Sequence, residues 1–389
     1  MTMTKISSSS VYKGFEQGPI RPPSEAYSLL IRVTRNCPWN RCTFCPVYKK
    51  SKFSLRPLEH VKKDIDLVHK YVNLVRDATG DWKYFTQNDL ASMAEKTEPV
   101  EMQAFQAAVH WTMGGMRSIF IQDANSLVIK PAHLVEILQH LKACFPWVER
   151  ITSYARSHTI ARIKGPDLKA IADAGLNRIH IGLESGSDEV LDRVNKGVTK
   201  AIHIKAGLKV KAAGMELSEY VIPGLGGKTL WETHAVETAD ALNQINPDFI
   251  RLRTLAIPNR LELYNDYQEG RFEKCTDLMI VQEILLLIEN LEGITSRVKS
   301  DHILNLFQEL EGKLPEDKTA MMELLHSFLE MEPQQRCLFQ VGRRLGVFTR
   351  LSDMKIPEKL AVARAACQQY GVTPENVDEL IDEAMKRFV

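Results

Sequence analysis

The sequence predicts an α/β protein: a partial (β/α)6 barrel followed by a helical C-terminal appendage. Two observations carry this. Short runs rich in Ile, Val, Leu and Tyr alternate six times with amphipathic stretches, the pattern of a parallel sheet with crossover helices. After about residue 292 the strand signal fades while helical patterning continues. Six units are too few for an eight-fold barrel and too many for a small doubly wound sheet, and right-handed crossovers curl such a sheet. A doubly wound sheet is the competing reading.

The strand-like runs are 27–33, 118–122, 150–154, 178–183, 216–222 and 249–255, apolar enough for burial on both faces. The helical stretches are 58–75, 133–143, 167–174, 188–194, 230–242 and 277–291. In the last, Leu278, Val281, Leu285 and Ile288 recur with a helical period. Residues 77–117, with a helix over 100–113, interrupt the rhythm as a lid or an extra layer. Residues 315–331 and 357–389 read as helices, the latter with Thr373-Pro374 as N-cap and first turn. The domains expected are a polar, mobile leader at 1–26, the barrel at 27–292 and the helical region at 293–389.

Lys plus Arg total 50 and Asp plus Glu 49, a balance that gives no indication of nucleic-acid binding. No apolar run reaches the ~20 residues of a membrane span, and the N-terminus lacks a secretory apolar segment. A soluble, cytoplasmic protein without a membrane partner is expected. The seven cysteines are odd in number, and Cys37, Cys42 and Cys45 fall within nine residues. That argues for a local metal site over a disulfide framework. Cys144, Cys275, Cys337 and Cys367 read as ordinary small residues.

The cluster reads Arg35-Asn36-Cys37-Pro38-Trp39-Asn40-Arg41-Cys42-Thr43-Phe44-Cys45-Pro46, directly after the first strand. Three thiolates fall short of the four protein ligands of structural zinc. They suit a 4Fe–4S cluster with one iron left open. Zinc with a remote fourth ligand, and three incidental cysteines, are the alternatives.

Three cysteines after the first strand of a β/α barrel, with aromatic Phe44 before the third, resemble the radical S-adenosylmethionine (SAM) superfamily. The spacing departs from its common form: four residues, not three, separate Cys37 from Cys42. The stretch Gly182-Leu183-Glu184-Ser185-Gly186-Ser187 resembles the branch that includes Elp3-, MiaB- and HemN-like enzymes. The resemblance implies that Cys37, Cys42 and Cys45 are the cluster ligands and the catalytic centre, and that SAM is the second cofactor. It implies that Phe44 and Glu184 contact SAM and that Arg193 pairs with its carboxylate. It also implies that backbone at Pro223 and Gly224 meets the adenine and that Leu255 on the sixth strand belongs to the cofactor-binding residues. The family's usual Gly-Gly-Glu stretch is missing after the second strand, where Gln122, Asp123 and Asn125 offer acceptors for the SAM ammonium; Asp and Asn also favour a plain turn. Ser153 is placed for the methionine or ribose and Arg156 for the carboxylate, which guanidinium forks suit.

Arg251 and Arg253 share a strand face, to bind an anionic substrate or to form structural ion pairs. His180 reads as a core histidine. Asp301 and His302 are acid–base candidates or parts of a capping turn. The chemistry implied is reductive cleavage of SAM to a 5′-deoxyadenosyl radical that abstracts hydrogen from an unknown substrate. The electron donor expected is of flavodoxin or ferredoxin type. The alternatives are a non-catalytic haem or cofactor carrier of HemN-like type and a tRNA-modifying radical SAM enzyme.

Overall fold

The computed structural model of the chain describes residues 11–79 and 86–385. Residues 1–10 of the expected leader, 80–85 of the expected insertion and 386–389 of the last expected helix lie outside the described residues. The chain divides into two compact units. The first holds Met1–Asn40, Val47–Ile181 and Lys209–Glu216; the second holds Arg41–Pro46, Gly182–Leu208 and Leu217–Val389.

The strands of the first unit are β1 (Leu29–Arg32), β2 (Thr34–Arg35), β3 (Ser54–Leu55), β4 (Ser118–Gln122), β5 (Arg150–Ala155) and most of β6 (Arg178–Glu184). β1, β4, β5 and β6 pair in parallel, Leu29 opposite Ile119, Ser118 opposite Arg150 and Thr152 opposite Arg178. Ile31, Ile119, Phe120, Ile151, Ile179 and Ile181 are buried, as the continuous apolar runs require. The helices are α1 (Leu58–Thr79), α2 (Gln87–Glu95), α3 (Met102–Met113), α4 (Pro131–Cys144), α5 (Ser157–Ile160) and α6 (Gly165–Asp173). α1 buries Val61, Ile65, Val68, Val72 and Val75, one stripe at helical spacing. α3 buries Phe105, Ala108 and Trp111 and packs on α1 and β1, so this part of the interruption is an extra layer, not a lid.

Residues 11–26 correct the expectation of a mobile leader. Phe15 is buried, the Tyr12 hydroxyl donates to Asp64 at 2.7 Å, and the Gly18 N–H donates to Gln122 Oε1 at 2.8 Å. Glu16 pairs with Arg56 at 2.6 Å and Arg35 at 2.8 Å, and the fully buried Glu25 pairs with Arg150 at 3.3 Å. Polar bonds anchor this segment, so its composition reads as unstructured although its groups are engaged.

The second unit holds the end of β6, then β7 (Glu216–Val221, less its first residue), β8 (Phe249–Leu252), β9 (Arg297–Lys299) and β10 (Gly312–Lys313). β7, β8 and β9 are parallel, Ser218 opposite Phe249 and Phe249 opposite Arg297, and β10 turns back antiparallel on β9. Its helices are α7 (Asp188–Arg193), α8 (Lys200–Ala212, ending in the first unit), α9 (Gly227–Ile245), α10 (Glu262–Gln268), α11 (Asp277–Glu289), α12 (Lys318–Leu329), α13 (Pro333–Arg344), α14 (Pro357–Gln369) and α15 (Val377–Met385). The region after residue 292 is therefore not wholly helical. β9 has three residues, of which only Val298 is buried, too short a run to register as a strand. Within each unit the parallel strands follow chain order with no reversal. That is the singly wound progression of an open β/α barrel, not the doubly wound alternative.

Candidate functional site

In the first unit, the flanks of the cysteine stretch hang on one carboxylate. Asp123, just past β4, is fully buried. Its Oδ2 accepts the Asn36 N–H at 3.0 Å and Arg32 Nε at 2.8 Å, and its Oδ1 accepts the Tyr48 hydroxyl at 2.8 Å. Arg32 Nη2 lies at 2.7 Å, completing a forked ion pair. Burial first, then the charge of Asp123, pushes the Tyr48 hydroxyl well above its ordinary range, so it remains a donor. A Cβ on Gly18 would stand 2.2 Å from Asp123 Oδ1, so only glycine fits there. The antiparallel pair β2 and β3, Thr34 opposite Leu55, closes the base of the loop.

The four-residue gap after Cys37 is accommodated by two left-handed asparagines. Asn36 has φ 67° and Asn40 φ 48°, a region asparagine enters more readily than most residues. Asn40 N–H donates to Cys37 Sγ at 3.4 Å, and its side-chain amide donates to the Tyr48 carbonyl at 2.5 Å. Trp39, in the same gap, lies 5.0 Å beneath the guanidinium of Arg156, a cation–π distance.

The expected ammonium acceptors are structural here. Gln122 takes the Gly18 N–H and donates to the Gly18 and Ile20 carbonyls. Asp123 is saturated as described. Asn125 donates to Thr159 Oγ1 at 2.8 Å and accepts the Arg156 N–H at 3.1 Å. Ser153 is buried with its hydroxyl on the Ile121 carbonyl at 3.2 Å. These four residues shape the strand ends; Arg156 keeps its side chain over Trp39.

The second unit holds residues 41–46. The Thr43 N–H donates to the Val194 carbonyl at 3.0 Å, and Leu263 N–H donates to the Thr43 carbonyl at 3.3 Å. Phe44 packs on the cluster of Val190, Val194, Ile222, Leu225, Leu255 and Phe272. Leu255 N–H donates to the Pro223 carbonyl at 3.0 Å, so Phe44, Pro223 and Leu255 belong to one wall. Glu184 closes β6 with φ 65°, a strained setting for glutamate. Its carboxylate receives Lys196 Nζ at 2.9 Å, and that ammonium also stands 5.9 Å from the Phe44 ring centroid. A Cβ on Gly182 would lie 2.1 Å from Glu184 Oε1, so this glycine makes room for the pair. The sequence reading missed Lys196. The signal available was a basic residue between left-handed Asn195 and Gly197, just beyond α7. Arg193, expected at the SAM carboxylate, instead donates to the Gly226 carbonyl at 3.3 Å and Thr229 Oγ1 at 3.1 Å.

Two further buried groups fix this wall. Glu283 on α11 accepts the Gly224 N–H with both oxygens at 3.0 Å and lies 2.8 Å from His234 Nδ1. The other ring nitrogen of His234 faces the Glu184 carbonyl at 3.1 Å. One chain of contacts thus runs from Gly224 to the backbone of Glu184. Glu219 on β7 is completely buried, and burial first, then the charge of Glu184, raises its carboxyl well above the ordinary range, with Lys196 opposing.

The expected arginine pair does not share a face. β8 ends at Leu252, leaving Arg253 beyond the strand and exposed. Arg251 is buried and donates to Asp301 at 2.5 Å and Ser218 Oγ at 3.2 Å, a structural ion pair. His302 accepts the Leu304 N–H at 3.3 Å as a turn residue; burial, then Arg253, lowers its pKa to about 4. His180 is buried beside Tyr154 and 3.6 Å from Glu25, a core histidine. None of the seven cysteines forms a disulfide, and no helix among the described residues is long and apolar enough to cross a membrane.

Comparison with known proteins gives the following. The sequence model described as "Radical SAM superfamily" matches residues 31–239. A CDK5RAP1-like protein of Caenorhabditis elegans is 22% identical over 220 residues, covering 54% of this chain and 37% of that protein. A tRNA uridine(34) acetyltransferase of Methanocaldococcus infernus is 21% identical over 215 residues, covering 53% of this chain and 38% of that protein. The chain thus spans well under half the length of these relatives. Among solved structures, coproporphyrinogen III oxidase (HemN) from Escherichia coli is similar at 15% identity and TM-score 0.45, covering 68% of this chain and 52% of that one.

Proposed function

Because the chain belongs to the radical SAM superfamily, whose enzymes bind a 4Fe–4S cluster and SAM, we propose that Cys37, Cys42 and Cys45 hold the cluster of a radical SAM enzyme. The observation that carries this is the buried Asp123 carboxylate, which ties Asn36 before the first cysteine and Tyr48 after the third. The donor chemistry fits: three thiols within nine residues, none in a disulfide, leave one iron for a cofactor. When bound, the reduced cluster supplies the electron that cleaves the SAM sulfonium and so makes hydrogen abstraction from an unactivated carbon accessible.

The chain's own residues orient and shield. Lys196 takes the part assigned to Arg193 in the sequence reading and meets the SAM carboxylate. Glu184, held by Lys196 and by its strained backbone, receives the ribose hydroxyls or the ammonium. Phe44, Leu255 and the backbone at Pro223 and Gly224 form the apolar wall for the adenine and keep water away from it. In the first unit, Arg156 stacks over Trp39 in the gap after Cys37. The reductant proposed is a flavodoxin- or ferredoxin-type protein.

The test is anaerobic reconstitution of wild type and Cys42→Ala, with iron and sulfide counted and methionine and 5′-deoxyadenosine assayed after dithionite reduction. Wild type should assemble about four irons and cleave SAM, and the variant should do neither. Equal cleavage by both proteins would overturn the assignment.

A further inference from the structure

Away from the cysteine loop, α1 and α4 of the first unit bring an aspartate, a histidine and a cysteine into one small volume. Asp66 comes from α1. His140 and Cys144 come from α4, four residues apart and therefore on one helix face. One carboxylate oxygen, one ring nitrogen and one sulfur all lie within 4.8 Å of one another. His140 Nε2 is 2.7 Å from Asp66 Oδ1 and 3.9 Å from Cys144 Sγ. One turn earlier on each helix, Lys62 and Glu136 pair at 2.7 Å, a second polar contact between the same two helices.

Carboxylate, imidazole and thiolate are the ligand classes zinc uses, with bonds of roughly 2.0–2.3 Å. A tetrahedral ion with such bonds spaces its ligands about 3.3–3.7 Å apart. The sulfur–nitrogen separation is already close to that. The aspartate–histidine contact, at 2.7 Å, must open by roughly 0.6–1 Å, and Asp66 is an exposed side chain able to do so. Magnesium and calcium, which take oxygen ligands, do not suit a set containing sulfur and nitrogen.

We propose that Asp66, His140 and Cys144 form a zinc(II) site that clips α1 to α4, its fourth position facing solvent water. The site shares no residue with the cysteine loop and stands whether or not the reading of that loop holds. A metal-free alternative has the same geometry: a hydrogen-bonded aspartate–histidine pair with a bystander thiol.

The experiment reads Cys144 itself. Cluster-reconstituted protein is treated with iodoacetamide with and without zinc chloride, and alkylation of the Cys144 peptide is followed by mass spectrometry. Zinc should slow that alkylation in wild type and have little effect in His140→Ala or Asp66→Asn, since loss of even an outer-shell partner typically lowers metal affinity at least about tenfold. Calorimetric zinc titration of the same proteins should show one wild-type equivalent that weakens by a similar factor in His140→Ala and Cys144→Ser, with iron and sulfide content unchanged. Peptide-level readout separates this site from any zinc taken up at Cys37, Cys42 or Cys45. Unprotected Cys144 in wild type, or equal protection in the variants, would overturn the proposal.

Discussion

Replacing Asp123 should damage the cysteine loop more than it damages the rest of the fold. Asp123→Ala removes the acceptor for the Asn36 N–H at 3.0 Å, the Tyr48 hydroxyl at 2.8 Å and the Arg32 fork at 2.7–2.8 Å. Arg32 is only 12% exposed at its side chain, so its charge is left nearly buried and unpaired. Breaking such a pair costs about 3–5 kcal/mol. Against a total stability of about 5–15 kcal/mol, that is large but survivable. Asp123→Asn keeps the shape and one acceptor oxygen, losing the charge assistance, for about 1–2 kcal/mol. Urea unfolding measures the global cost. Iron and sulfide content after anaerobic reconstitution, with the electron paramagnetic resonance signal of the reduced cluster, measures the loop. The expected order of both readouts is wild type, then Asn, then Ala, with iron lost in Ala under conditions where circular dichroism still reports a folded chain. Full iron content and wild-type unfolding in Asp123→Ala would refute the claim that this carboxylate sets the loop.

Gly182→Ala would put a methyl 2.1 Å from Glu184 Oε1 and 3.1 Å from Lys196 Nζ. The side-chain ends can swing aside, so stability should change by less than about 1.5 kcal/mol, while SAM affinity by equilibrium dialysis falls about tenfold with iron content intact. Lys196→Met keeps the stem against Phe44 but leaves Glu184 without its cation; SAM affinity should drop about 10- to 100-fold, and Lys196→Arg should restore part of it. Glu219 carries a carboxyl raised above its ordinary 4.5. Its contribution to stability is full below that value and is lost as pH rises toward the folded value, at up to about 1.4 kcal/mol per pH unit. Glu219→Gln should flatten that decline in chemical denaturation series from pH 4.5 upward, and an unchanged slope would refute the burial argument.

The elements that were legible in the sequence owe this to physical repetition. Apolar strands buried on both faces announce themselves, and 118–122 matches β4 residue for residue. Three thiols within nine residues and a glutamate at a strand end are equally local signals. What escaped depends on long-range partners. Asp123 looked like a ligand because an acid in a turn has no visible partner, yet its partners lie 75 to 91 residues away. His234 and Glu283 matter only because α9 and α11 aim them at Gly224 and Glu184. α8 was missed because Lys205, Lys209 and Lys211 break up its apolar face, and α13 because it contains Arg336, Arg343 and Arg344. Arg343 is buried and spends its guanidinium on the carbonyls of Leu306, Ile303 and Asn305, a role invisible without the loop it serves.

Anyone trimming this protein to begin at its first strand would be cutting away scaffolding. Without residues 11–18, the Gln122 amide would forfeit its two bonds to Gly18, and Arg56, whose side chain is 2% exposed, would lose its ion pair with Glu16 and keep Asp64 and the Arg32 carbonyl. Both groups sit within a residue or two of the strand ends that carry Asp123 and the cysteine loop. A shortened version would retain every cysteine and still assemble its metal centre poorly, a failure easily misattributed to oxygen.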